Sequence, residues 1–321
     1  MDFLLTIGET ELLTRFGLGC ALAALVGLLM TGPVIARRGL GYGAWIRLCV
    51  CVIPCAWLTA RLVYVTADLV MTPLEAMFDL NTGRSLEYVP YFWEGGYALT
   101  GAVIGAVLGG KLAELWSRSP KGALRDALAV GIPAAILVER LFEAGTGLGE
   151  GRIVGSSWLI GLGICPLVEG DPVHPVYLYE AIVAGILLIL MIIASLLDHK
   201  HEGNLLRGFL VLFGLTQVLL ESMRADDHMV EHFVHIQQVV AIVIPVAVMI
   251  HWSVVSARKP GRHPALTIGW IVTAAAIGGA ILAEFGVDRW GNLLLAYGVM
   301  AGCMLVVGFI ALEFKRIADR G

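Results

Sequence analysis

Apolar residues in this chain fall in long blocks of about 18 or more, separated by shorter connections that carry most of the charge. A block of that length crosses roughly 30 Å of hydrocarbon as a helix. The blocks lie at about 13–36, 43–66, 96–116, 122–143, 177–197, 205–224, 235–256, 265–284 and 291–313, which predicts nine helices. The longest connections are about 30 residues, so no soluble domain of ordinary size is left over. The pattern predicts an all-α, polytopic membrane helical bundle.

The connections alternate in charge. Arg37, Arg38 and Arg47 follow the first block, and Lys111, Arg118, Lys121 and Arg125 follow the third. Lys200 and Arg207 lie between the fifth and sixth, Arg258, Lys259 and Arg262 after the seventh, and Lys315, Arg316 and Arg320 at the end. By the positive-inside rule these sides face the cytoplasm. The opposite connections, 67–95, 144–176, 225–234 and 285–290, are acidic or glycine-rich and hold only Arg84, Arg152 and Arg289. The amino terminus is therefore expected outside and the carboxyl terminus inside.

Composition agrees with the pattern. Of 321 residues, 58% are hydrophobic and 15% charged, against about 25% charged in soluble domains. The net charge of -4 contains no block of one sign, which leaves a nucleic-acid partner without an electrostatic footprint. The opening MDFLLTIGETELLTRFGLG carries acids where a secretory signal carries bases, so the first block is expected to stay as a span. Six cysteines lie mostly inside apolar blocks and are expected to be buried thiols.

A charge at the bilayer centre costs roughly 2.5–3.5 kcal/mol, so ionisable residues in or at the ends of spans are candidates for function. Arg61 and Tyr64 lie on one side of the second block, and Tyr97 and Thr100 begin the third. Glu139, Arg140 and Glu143 share one end of the fourth, where Arg140 can pair with Glu143. Tyr177, Tyr179 and Glu180 open the fifth, and Gln217, Glu221 and Arg224 step along the sixth. All fall in the outer half by the charge reading, and the inner half is expected to bury almost nothing ionisable. An outward-facing polar cavity follows, the alternative being snorkelling arginines and an interfacial tyrosine belt.

Arg61, Arg140 and Arg224 suit the phosphate of a lipid headgroup, because guanidinium offers paired donors and keeps its charge in low dielectric. The glutamates serve as counter-ions or as general bases, the first being favoured. The run AGTGLGEGRIVGSSWLIGLGICP matches no phosphate-loop pattern and is read as a flexible lid or substrate-admitting loop. His228, His232 and His235 are read as interfacial histidines rather than metal ligands. No metal and no cofactor are expected.

Several strings resemble the bacterial prolipoprotein diacylglyceryl transferases. HPVYLYEA, His174 to Ala181, is similar to the family's His-Pro-x-x-Leu-Tyr-Glu-Ala signature. RFGLG, ARLVYV, EGGYALTGAVIG, ERLFEAGTGLGEG and FGLTQVLLESMRADD resemble further family segments, in order, over about residues 10–255. The resemblance implies a seven-helix core within 1–256, with the helices of 257–321 as an addition, in a bacterial cytoplasmic membrane.

It also implies transfer of the diacylglyceryl group of phosphatidylglycerol to the lipobox cysteine of a prolipoprotein. On the matching positions, Arg140, Glu143, Glu221 and Thr100 are the catalytic candidates. Arg61, Tyr64, Gly96, Gly101, Gly151, His174, Tyr179, Gln217, Arg224 and Asp227 are the lipid-binding ones. Thr100 stands where the family has a histidine, Glu143 where it has an asparagine and Gln217 where it has an arginine, while Phe16 and Phe213 replace tyrosines. A threonine does not serve as a base near neutral pH. The expected function is therefore a transferase of this type, acting on a cysteine thiol or another acceptor. The alternative is a non-catalytic paralogue that binds or moves phospholipid in the outer leaflet. A solute transporter is a third reading, but the charge is one-sided and the spans show no repeat.

Overall fold

The computed structural model describes residues 3–7, 10–71, 96–197, 203–225, 230–231, 234–258 and 264–319. Long helices occupy all nine expected positions: α1 Arg15–Arg37, α2 Tyr42–Met71, α3 Leu99–Ser117 and α4 Ala123–Phe142, then, after a short α5 Ser157–Gly161, α6 Val176–Leu197, α7 Asn204–Met223, α8 Ile236–Ala257, α9 Pro264–Arg289 and α10 Leu293–Asp319. Eight of these are long and apolar enough to cross a membrane. The exception is α4, because every 18-residue stretch of it holds Arg125, Asp126, Glu139 and Arg140. It is also mostly buried by its neighbours. The chain is a multi-pass membrane protein with an all-α bundle architecture.

Two compact units are formed, one from Met1–Leu206 with Met223–Glu231, the other from Arg207–Ser222 with His232–Gly321. In the first, α2 packs along α3, α1 along α4, and α4 against α3 and α6. Gly101, Gly105 and Gly109 recur every fourth residue and turn one bare stripe of α3 toward α2. A Cβ on Gly101 would lie 2.6 Å from Thr59 O, and one on Gly109 would lie 2.7 Å from Cys51 O. Small residues at this spacing let membrane helices approach backbone to backbone, where dispersion replaces the missing hydrophobic drive. In the second unit, Val211, Leu215 and Val218 of α7 share a core with Ala241 and Met249 of α8, and with Met300, Met304 and Val307 of α10.

The structure corrects three expectations. The glycine-rich run after Arg140, expected to be a flexible lid or substrate-admitting loop, forms strand β1 (Glu150–Ile153) and α5, and β1 joins β2 (Leu167–Val168) and β3 (Asp171–Pro175) just after the run in a three-stranded antiparallel sheet of order β1-β3-β2. Glycines at 145, 147, 149, 163 and 170 take positive φ, so they make the turns that the sheet needs. The cysteines are free but not buried: Cys20 is exposed and the other five are half-buried.

Finally, the helix ends opposite Arg140 do bury charge. Asp126 Oδ2 lies 3.3 Å from Arg38 Nη1, and its carboxylate accepts from Gly203 N and Leu206 N at 3.1 and 3.0 Å, capping the start of α7. Glu114 Oε1 accepts from Leu124 N and Arg125 N at the start of α4. Both carboxylates meet helix N-termini, whose free N–H groups and dipole favour negative charge. They staple the bundle there, a role that residue spacing does not show.

Candidate functional site

At the end of α4, two arginines and three glutamates condense into one buried cluster. Arg140 Nη1 donates to Glu143 Oε1 one turn along the chain. Arg140 Nε lies 2.8 Å from Glu180 Oε2 of α6 and 3.2 Å from Glu139 Oε2, close enough to pair but without an aligned hydrogen bond to either. Glu180 Oε2 also accepts from Arg224 Nη1 at 3.5 Å. Arg140, Glu143, Glu180 and Arg224 are exposed by only 3, 3, 2 and 4%. Charges this deep persist only when paired.

Local backbone geometry holds these groups. Gly149 has φ +68, and a Cβ there would stand 2.7 Å from Tyr177 Cβ and 2.9 Å from Glu143 Oε2. The bare Cα is what lets the carboxylate sit against the loop. Tyr177 N donates to Gly149 O at 2.9 Å, joining that loop to the start of α6, where Glu180 follows one turn on. Gly151 forms an antiparallel bridge with Arg224, and Ala225 N donates to Glu150 O at 2.9 Å. A Cβ on Gly151 would meet Met223 O and Val176 Cγ2 at 2.8 Å. The strand after α4 thus fixes the backbone that delivers Arg224 to Glu180.

Besides Arg140 Nε, two acceptors of the cluster, Glu139 Oε2 and Glu143 Oε2, have no hydrogen-bond partner among the described residues, although Glu139 Oε2 keeps its ion pair with Arg140. Such buried acceptors are costly unless a donor arrives. The arrangement can therefore take up a proton or a hydrogen-bond donor at the carboxylates. It can present two cations to an anion when a carboxylate gives way.

The remaining candidates fall into smaller groups. Arg61 donates from Nη1 to Gly96 O at 3.0 Å and lies 5.8 and 5.9 Å from the ring centres of Tyr64 and Tyr97. Gly96 has φ +77, and a Cβ would lie 2.8 Å from Arg61 Nη1. Gly101 is used in helix packing against α2. His174 Nδ1 and Tyr179 Oη are hydrogen-bonded at 3.0 Å across the start of α6, and burial pushes the His174 imidazole below its ordinary range.

Thr100 is fully buried, and its hydroxyl has no hydrogen-bond partner among the described residues. Gln217 Nε2 donates to Glu221 Oε1 at 3.0 Å, a buried pair within the second unit. Asp227, together with His228 and His232, lies outside the described residues. Sequence reasoning counts Glu180 among the polar groups of the outward-facing cavity but not among the catalytic or lipid-binding candidates, although HPVYLYEA contains it. Gly149 was hidden among look-alike glycines.

Membrane helices around a buried, doubly cationic, carboxylate-lined cluster define a class: polytopic membrane proteins with polar chemistry at one end of the bundle. Residues 3–254 match the family described as Prolipoprotein diacylglyceryl transferase. The chain belongs to that family. A Bacillus velezensis relative named phosphatidylglycerol--prolipoprotein diacylglyceryl transferase is 26% identical over 246 residues, 73% of this chain and 85% of its own. A Clostridioides difficile relative of the same name is 24% identical over 216 residues, covering 67% and 79%. One from Geobacter sulfurreducens is 30% identical over 135 residues, covering 42% and 51%.

Proposed function

We propose that this chain is a transferase of the bacterial cytoplasmic membrane that moves the diacylglyceryl group of phosphatidylglycerol to the cysteine thiol of a prolipoprotein. Its amino terminus faces outward in this reading, with the cluster in the outer leaflet. The core is 1–256, supported by the family match ending at 254, and 257–321 is an addition. The observation that carries the reading is the buried Arg140, Glu143, Glu180, Arg224 cluster, in a chain whose relatives bear that enzyme's name.

In the reaction a C–S bond forms at the glyceryl carbon next to the phosphate, and the C–O bond from that carbon to the phosphate breaks. The thiol proton goes to a carboxylate and glycerol phosphate leaves. Glu143 suits the acceptor role, since Oε1 is tied to Arg140 and Oε2 is unmatched. Arg140 and Arg224 suit the departing phosphate. A phosphate oxygen must compete with carboxylates for Arg140, so lipid binding and displacement of one glutamate are linked. Arg61, Tyr64, Gly96, His174, Tyr179, Gln217 and Asp227 are proposed to hold the lipid, and Glu221 is proposed as the alternative proton acceptor to Glu143.

In bacterial cells depleted of their own enzyme of this kind, expression of this chain is expected to restore diacylglyceryl-modified lipoproteins, detected by mass spectrometry. Unmodified prolipoproteins despite good expression would overturn the reading.

One observation favours the second reading, a non-catalytic phospholipid-binding or phospholipid-moving protein. Thr100 puts a buried hydroxyl, rather than an imidazole, at the position that the resemblance assigns to the family's histidine. On that reading Glu143→Gln and Glu221→Gln leave cellular function intact while Arg140→Ala abolishes it. On the transferase reading all three lose it.

A further inference from the structure

Helices α9 and α10 lie beyond the family match, yet both are tied to the end of α7 that carries Gln217 and Glu221. Tyr297 Oη of α10 donates to Ser222 O at 3.2 Å. Ser222 O is among the last four carbonyls of α7, which have no intrahelical donor. In a bilayer such a group must find its partner within the protein.

A second tie comes through α8. Gln238 Nε2 donates to Val218 O at 3.1 Å and to Glu284 Oε2 of α9 at 2.9 Å. Glu284 therefore orients the amide that grips α7. Apolar packing continues below: Leu215 and Val218 share a core with Met300 and Met304. The hydrogen bonds fall on residues 218 and 222, each one position from Gln217 or Glu221.

We propose that α9 and α10 brace the last turns of α7, with Glu284 and Tyr297 as positioning residues for Gln217 and Glu221. The effect on turnover rests on the transferase reading. The brace itself does not.

Hydrogen–deuterium exchange on the full chain in lipid nanodiscs tests it, with phosphatidylglycerol and a lipobox peptide for the parallel turnover assay. Tyr297→Phe and Glu284→Leu are expected to speed exchange at 218–223 about fivefold, the equivalent of one typical hydrogen bond. They are also expected to lower kcat with little change in KM. Glu284→Gln keeps an acceptor for Gln238 and retains parental exchange and turnover. Leu294→Ala, on an exposed position of α10, changes neither.

Unchanged exchange at 218–223 in Tyr297→Phe and Glu284→Leu overturns the brace. Faster exchange with parental kcat overturns the positioning role. If the parent chain transfers nothing, the transferase reading fails, and exchange alone decides the brace.

Discussion

Arg140→Met removes a side chain that touches three carboxylates. Glu180 keeps Arg224 at 3.5 Å, but Glu143 has no second cationic partner among the described residues and is 3% exposed. Removing one member of a buried pair costs about 3–5 kcal/mol, because the survivor stays in low dielectric without compensation. Glu143→Gln alone removes a charge along with its pairing and costs less. In the double variant the stranded carboxylate is gone, so about 1–3 kcal/mol of the single loss should return as coupling between the sites. The assay is equilibrium unfolding of detergent-solubilised parent, single variants and double variant. An Arg140→Met variant within about 0.5 kcal/mol of the parent, the range of ordinary surface changes, refutes the reasoning. So does strict additivity of the two substitutions.

Three other outcomes follow. Gly149→Ala puts a side chain at φ +68 against Tyr177 and Glu143; beyond the roughly 1–2 kcal/mol of left-handed backbone, it should displace the Glu143 carboxylate and lower lipid transfer more than it lowers stability, read from paired kinetic and unfolding measurements. Gly109→Val drives a branched side chain toward Cys51 O and Val52 Cα, both 2.7 Å from the Cβ position, and should cost about 1–3 kcal/mol or more by overpacking, whereas Gly298→Ala enters open space and leaves the unfolding midpoint unchanged. His174 favours its neutral form in the folded chain, so its contribution is full above the unfolded value of about 6.5 and fades as pH falls below it; His174→Gln should flatten the stability profile on the acid side of that value, and an unchanged profile would show that another group titrates there.

The helices were legible because each needs a long apolar block, and the nine blocks correspond to nine long helices among the described residues. The Arg140–Glu143 pair was legible for a similar reason, since three residues along a helix place two side chains together. Glu180 was legible as one of the cavity's polar groups but not as the partner of Arg140 and Arg224, because it arrives from α6 through a packing that no local spacing encodes. The same holds for Asp126 and Glu114, which look like stray acids until they are found at the starts of α7 and α4. The glycine-rich run misled in the opposite direction. Its glycines were read as freedom, while their positive φ values close the turns of a small sheet that carries Gly151 to Arg224.

Purified chain in nanodiscs containing phosphatidylglycerol, incubated with a lipobox peptide and examined by intact mass spectrometry, tests the central claim most directly. The account predicts a peptide carrying one diacylglyceryl group on its cysteine, with glycerol phosphate released in equal amount and both lost in Arg140→Ala. Unmodified peptide, under conditions where the Bacillus velezensis relative modifies it, would contradict the account.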